Sequence, residues 1–464
     1  AASPIRMRLA AAAIAAALVF ISTRSPGPGL DPDSMAYMGA ATSLAHEGRI
    51  RVPTAEWDRP DSTSSLSLWP PGFPAAIALP VYFGASPVQS ARWINILSAG
   101  VIADAIVILI ASPLGLPAGV IGALVVFATQ AVFDTEISVL SEPMFIALML
   151  LFLVAMVHAR DRLLLLGVLS TVVVMVRYAG AAAPAAAVIW MLLDSRRDLR
   201  TRLRRAMAVA LIPFLALVAW FARTAMVPDR HATPKLELYG GWGATMVQAR
   251  DTIAEWLAPL LPDGTVQRML ALLMVLALIV FIATAASDTG ADRLRRLRVA
   301  GVSTLINAVS LLGACYIVVI LASRAFVGGT IPLDWRILAP VIVLVEIAAV
   351  TAVGYWWRAY HFPVHAAILV VGIVWLGATT TATVNDAIFA TTEGSDFADA
   401  SWRTSPLIAW VRANGKGHPL YSNWPPALYF HAQRIARERP DSADSGDVNG
   451  FGADPCRPWL RGRI

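Results

Sequence analysis

Long apolar runs separated by short polar breaks dominate this chain, and a run of about 20 mainly apolar residues is what a helix needs to cross a bilayer. The runs fall at residues 4–23, 91–111, 117–134, 141–159, 163–177, 179–193, 206–223, 266–286, 299–322, 337–355 and 363–383. This pattern predicts an all-α polytopic membrane protein of about eleven transmembrane helices. Between the first two runs, residues 32–48 carry Met35, Met38, Ala41 and Leu44/Ala45 on one stripe, which predicts an amphipathic helix lying in the interface. The next stretch, SLSLWPPGFPAAIALPVYFG, is apolar but broken by Pro70, Pro71, Pro74 and Pro80, so it reads as re-entrant or interfacial.

The breaks carry the charge. Arg6/Arg8, HARDR, DSRRDLRTRLRR, DRLRRLR and WWRAYH alternate so as to lie on one side, and basic loops mark the cytoplasmic side. The opposite, outer side receives residues 24–90, the short DTEISVLSE turn, the loop 224–265, SRAFVGGTIPLDW and the C-terminal segment. Residues 1–383 thus read as a transmembrane domain with a large first outer loop. Residues 384–464 read as an extracytoplasmic segment with a small helix and strand unit and an unstructured tail from Pro440.

Composition agrees: 57% of residues are hydrophobic and 15% charged, where a soluble domain has roughly a quarter charged. The net charge of +6 needs no nucleic-acid partner, because the arginines sit in the loops. Cys315 and Cys456 lie on segments too unlike to pair, so neither a disulfide framework nor a metal cluster is expected. His46, His158, His231 and His431 have no ligand spacing. The numbering starts at Ala1, which suggests a start inside the reading frame, and Pro4 to Thr23 reads as a retained span rather than a cleaved signal.

Two acidic patches face outward. Asp31 followed by Pro32 is an N-cap with proline at N1. Asp33 falls in the first turn, where the helix dipole favours a carboxylate. Asp134, Glu136 and Glu142 crowd the ends of two successive helices, with Ser141 placed to cap the second. The bland reading of both patches is helix capping; the functional one is convergence on a substrate. Asp104 and Glu346 fall inside spans, where an acid is a functional candidate by default unless it pairs with Asn95, Asn307 or backbone.

In chain order, DPDSMAYMGAATSLAHEGR, WPPGFPAAIAL, LSEPMFIALMLLFL, VRYAG, AWFART, DWRILAPVIVL and PLYSNWPPALYF resemble the GT-C superfamily of membrane glycosyltransferases. The likeness is to its bacterial branch of protein O-mannosyltransferases and lipid A aminoarabinose transferases. It implies an inverting transfer of sugar from a polyprenyl-phosphate donor, with Asp33 as general base and Glu142 or Asp134 assisting. Ser34 stands where many relatives have a second acid, which argues against the metal that some of them use. The departing phosphate needs fixed cations. Arg177 with Tyr178, and Arg336, fit the pattern best, with Arg223 beside them and Arg324 a further cation at an outer helix end. Asp31, Tyr37 and Trp69 of the first outer loop are the substrate-contact candidates. The implied partners are the lipid-linked donor, a lipid, glycan or protein acceptor, and membrane lipid; the implied location is the bacterial cytoplasmic membrane. The rival reading is a transporter or flippase of a lipid-linked saccharide that works through Asp104 and Glu346.

Overall fold

A computed structural model describes residues 3–54, 61–227, 236–287, 293–328, 331–359 and 362–438. Helix α1 (Pro4–Ser22) starts with proline in its first turn and packs along α4 (Pro87–Leu114). Between them lie α2 (Pro32–Glu47), an antiparallel pair of strands β1 (Arg51–Pro53) and β2 (Thr63–Ser65), and α3 (Gly72–Tyr82). After α4 come α5 (Leu116–Phe127) and α6 (Gln130–Glu136), bent by 76° to one another, then α7 (Glu142–His158) and α8 (Leu163–Val176). A short 3-10 turn at Tyr178–Ala181 leads to α9 (Ala182–Leu192) and α10 (Leu199–Met226). The remaining long helices are α12 (Thr265–Ser287), α13 (Arg293–Phe326), α14 (Trp335–Ala359) and α15 (Phe362–Thr392), with α11 (Trp242–Leu257) set before α12.

Every one of the expected apolar runs forms a helix, but their lengths differ. Among the described residues, seven helices are long and apolar enough to cross a membrane, and the bent α5–α6 pair makes an eighth. Helices α3, α7, α8 and α9 are apolar but shorter. Helices α7 and α8 follow their runs almost residue for residue, and those runs are themselves shorter than a full bilayer thickness; Arg177 and the Tyr178–Ala181 turn separate α8 from α9.

Helix α2 also differs from its expected stripe. Ala36 to Ala41 are all buried in succession, so the helix is covered on several faces. Small residues allow this: a Cβ on Gly39 would lie 2.3 Å from Cδ of Pro53, so glycine lets β1 press directly on the helix. The segment after α15 folds into α16 (Ala400–Arg403), α17 (Pro406–Asn414) and α18 (Pro425–Ala432). A parallel pairing of β3 (Tyr421–Ser422) with β4 (Arg437–Glu438) completes it. Ile408, Val411, Leu420 and Leu428 give this unit its own small core. The tail from Pro440 lies outside the described residues.

Asp104 is not alone in its span. It takes both Nε and Nη2 of Arg8, each at 2.8 Å, in a bidentate pair that joins α1 to α4. The expected partners Asn95 and Asn307 are elsewhere; the Asn95 amide donates to the carbonyls of Glu136 and Ser138. Arg8 is near the start of α1, so Asp104 is held toward that end of the bundle.

The loops rich in arginine cross-link to one another. Arg197 and Arg205 meet Asp161 at 2.9 and 2.8 Å, tying the α9–α10 loop to the α7–α8 turn. Arg358 at the end of α14 donates to the carbonyls of Pro113 and Leu114. If these loops face the cytoplasm, a single cysteine placed at Ser195 in a chain lacking Cys315 and Cys456 stays unlabelled by an impermeant maleimide in intact cells. One placed at Ser62 or Ser422 is labelled. The reverse pattern contradicts the orientation.

Candidate active site

The site grows from backbone pairing at the start of α2. Gly29 lies between two neighbours: its amide donates to the Ile137 carbonyl at 2.9 Å, and its carbonyl accepts from the Val139 amide at 2.8 Å. One residue on, Leu30 accepts from the Phe397 amide at 3.2 Å. A Cβ on Gly29 would lie 2.7 Å from Ser138 Oγ and 3.2 Å from Ser395 Cβ, so only glycine fits this approach. The chain entering α2 is thereby clamped by the α6–α7 connection on one side and the segment after α15 on the other.

Asp31 and Ser34 form the capping box of α2; the Asp31 amide donates to Ser34 Oγ at 3.0 Å. Ser34 Oγ in turn donates to the Val139 carbonyl at 2.7 Å, so the cap is bolted to the α6–α7 connection. The capping reading of Asp31 therefore holds, yet the carboxyl has a second neighbour.

That neighbour is Arg336, in the first turn of α14. Its Nη2 is 2.8 Å from Asp33 Oδ2, its Nη1 is 3.5 Å from Asp31 Oδ1, and its Nε is 3.6 Å from Glu142 Oε1. Glu142, whose side chain is 1% exposed, also meets Arg177 Nη1 at 2.7 Å. Two guanidiniums thus face three carboxylates drawn from α2 and α7. Removing one partner of such a buried pair costs about 3–5 kcal/mol, because the other charge is left in a poor solvent.

Ser141 sits at the N-cap position of α7, but its side chain makes no capping bond. Its hydroxyl is instead a hub: it accepts from Arg177 Nη1 at 2.9 Å and lies 3.3 Å from the Tyr37 hydroxyl and 3.4 Å from Glu142 Oε2. Tyr37 is buried edge-on against Trp69 and Phe73. Burial, with Asp33 beside it, pushes the phenol above its ordinary range, so it acts as a neutral hydroxyl.

The Asp31 carboxyl is pushed up to about 7. Burial is the main cause, opposed by Arg336 and reinforced by the charges of Asp396, Asp33 and Glu142. Its Oδ2 is buried without a hydrogen-bond partner. Asp396 was not visible as a site residue in the sequence. The one signal for it is structural: it has φ of 53°, in the left-handed region, next to the strand-like contact with Leu30.

The other expected residues form separate groups. Tyr178 accepts from Trp220 Nε1 at 2.8 Å and stacks on Phe221, while Arg223 lies over Trp220 and donates to the Leu66 carbonyl. This second group joins the Tyr178–Ala181 turn to α10. Arg324 is buried against α11, donating to Thr245 Oγ1 and the Gly240 carbonyl. Asp134 lines a cavity of about 360 Å³ with Glu255, Asp263, Trp256 and Trp335. None of Asp31, Asp33, Glu142, Arg177 and Arg336 lines that cavity. Among the described residues, no three His, Cys, Asp or Glu side chains converge as a metal site.

No family pattern matches the chain, and no curated protein matches it in sequence. Solved structures do. ArnT from Cupriavidus metallidurans bound to undecaprenyl phosphate is similar over 96% of this chain and 87% of its own, at 14% identity and a TM-score of 0.56. A mutant of the arabinofuranosyltransferase AftD from Mycobacteria is similar over 95% of this chain, at 15% identity and a TM-score of 0.50. This chain spans 32% of AftD. With that likeness running over nearly the whole chain, the protein has the fold seen in ArnT and in part of AftD.

Proposed function

We propose that this protein is an inverting glycosyltransferase that moves a sugar from a polyprenyl-phosphate donor to an acceptor hydroxyl or amine at the outer membrane–water interface. The observation that carries this reading is Arg336 held at 2.8 Å by Asp33, with Asp31, Glu142 and Arg177 around the pair. The undecaprenyl phosphate bound to ArnT supports a donor of that class.

The chemistry follows from the parts. Asp33 takes the acceptor proton while the acceptor heteroatom bonds to the anomeric carbon. The bond from that carbon to the phosphate oxygen breaks on the opposite face, and its electron pair stays on the phosphate. Arg336 and Arg177 are the cations that stabilise the growing charge. For Arg336 to reach the phosphate it must loosen its hold on Asp33, which frees the base as the donor binds.

The transporter reading has less support, although Glu346 Oε2 is buried without a hydrogen-bond partner. Asp104 is neutralised by Arg8, and Glu346 Oε1 accepts from Thr129 at 2.6 Å and Trp256 at 3.0 Å. Both are built into helix contacts.

Asp33→Asn therefore lowers transfer from a synthetic donor by on the order of a hundredfold or more, with donor binding retained. Glu346→Gln keeps transfer within a few-fold. Full transfer in Asp33→Asn removes the base assignment, and loss only in Glu346→Gln or Asp104→Asn restores the transporter.

Arg336→Lys keeps the charge but not the planar fork, so it recovers part of the activity lost in Arg336→Ala. Equal activity in wild type, Lys and Ala variants contradicts a phosphate role.

Donor binding should also carry a proton. An added phosphodiester raises the Asp31 pKa further above about 7, so binding takes up a proton and weakens as pH rises through the range above 7. The slope is at most about tenfold per pH unit. A phosphodiester probe avoids the titration of a phosphate monoester, whose second pKa is near 6. Asp31→Asn, which caps about as well, flattens the profile. An unchanged slope in that variant contradicts the assignment.

A further inference from the structure

A second cavity, of about 490 Å³, opens at the arginine-rich end of the bundle, between α9, the α9–α10 loop, the α7–α8 turn and α13. Arg160, Arg196 and Arg205 line it, together with Trp190, Asn307 and Leu311. Cations outnumber acids in its lining, although the Arg160 charge also stabilises the Asp194 carboxylate. Asp194 also lines the cavity, but its carboxylate is engaged by Arg197 Nε at 3.3 Å. Arg205 gives Nη2 to Asp161 and to the Arg160 carbonyl, while its Nε is buried with no partner. The side chains of Arg160 and Arg196 make no hydrogen bond with a described residue.

Asn307 strengthens the case independently. It is an exposed amide on α13, which is long and apolar enough to cross the membrane. An exposed amide at such a place is costly beside hydrocarbon unless something polar meets it. Here it looks onto the arginines. The opposite rim is apolar: Leu193 is 70% exposed, and Met191 and Leu311 continue the wall. A phosphate flanked by hydrocarbon is the chemistry that fits both halves, since basic pockets between membrane helices hold lipid head groups.

We propose that this cavity is a binding site for the phosphate of an anionic membrane lipid, at the end of the bundle opposite the transfer site. The lipid phosphate meets Arg160, Arg196 and the free Nε of Arg205. Asn307 donates to the head group, and the acyl chains lie along Leu193 and Leu311. The lipid braces the α9–α10 loop against α13, so binding raises the stability of the bundle without entering the transfer reaction.

The test uses the full chain in detergent, with phosphatidylglycerol, phosphatidylcholine or inorganic phosphate added at matched concentration. Thermal unfolding and lipid retention in native mass spectrometry are read. Phosphatidylglycerol raises Tm with concentration, as any ligand of the folded state does, and is retained. Phosphatidylcholine and inorganic phosphate do neither. The Arg160→Gln/Arg196→Gln pair weakens phosphatidylglycerol binding by about tenfold or more, since each charge-assisted contact is worth about that factor. Tm without lipid and sugar transfer are unchanged in that variant. Asn307→Leu, which removes only an exposed amide, also weakens retention. Equal responses to both lipids, an equal response to inorganic phosphate, or full retention in the variants would each overturn the proposal.

Discussion

One guanidinium organises the end of the bundle where α2, α7 and α14 begin. Arg336 opens α14, and it is met by Asp31 and Asp33 from α2 and Glu142 from α7. Three segments distant in sequence are brought to one point by a group that cannot lose its charge. Each carboxylate needs the arginine in order to be buried, and the arginine needs them for the same reason. The clamp on Gly29, the capping box at Ser34 and the hub at Ser141 all serve to hold this balance of charge in place.

The same balance is what supports reading the cluster as a site. Three carboxylates face two guanidiniums, and burial first, then the neighbouring carboxylates, push Asp31 up to about 7. The cluster is not closed on itself. It leaves an Asp31 oxygen buried and unpartnered and holds Glu142 between two arginines. At the opposite end Arg205 is tied to Asp161 and to the Arg160 carbonyl, and Arg358 to the carbonyls of Pro113 and Leu114, while the Arg160 and Arg196 side chains line the cavity there.

Much of this was legible in the chain. The apolar runs placed the helices, because hydrocarbon-facing segments admit few other structures. Asp33, Glu142, Arg177 and Arg336 stood out as charges at outer helix ends, and the structure brings those four together. Asp134, Tyr178 and Arg223 carried the same signal but lie in neighbouring groups, because position along a helix says nothing about the face a side chain takes. Pairing across helices was the part not legible. Nothing in local pattern joins Arg8 to Asp104, or turns Ser141 from a cap into a bridge between Tyr37 and Arg177. Asp396 was invisible for a related reason: its neighbour Leu30 is reached only through backbone contact between segments far apart in the chain.

The most direct test is the structure of the protein with a polyprenyl phosphate bound. The phosphate oxygens should lie within about 3 Å of the Arg336 guanidinium, the usual length of a charge-assisted hydrogen bond, with Asp33 released from that contact. A phosphate bound elsewhere, with the Asp33–Arg336 pair intact, would contradict the account.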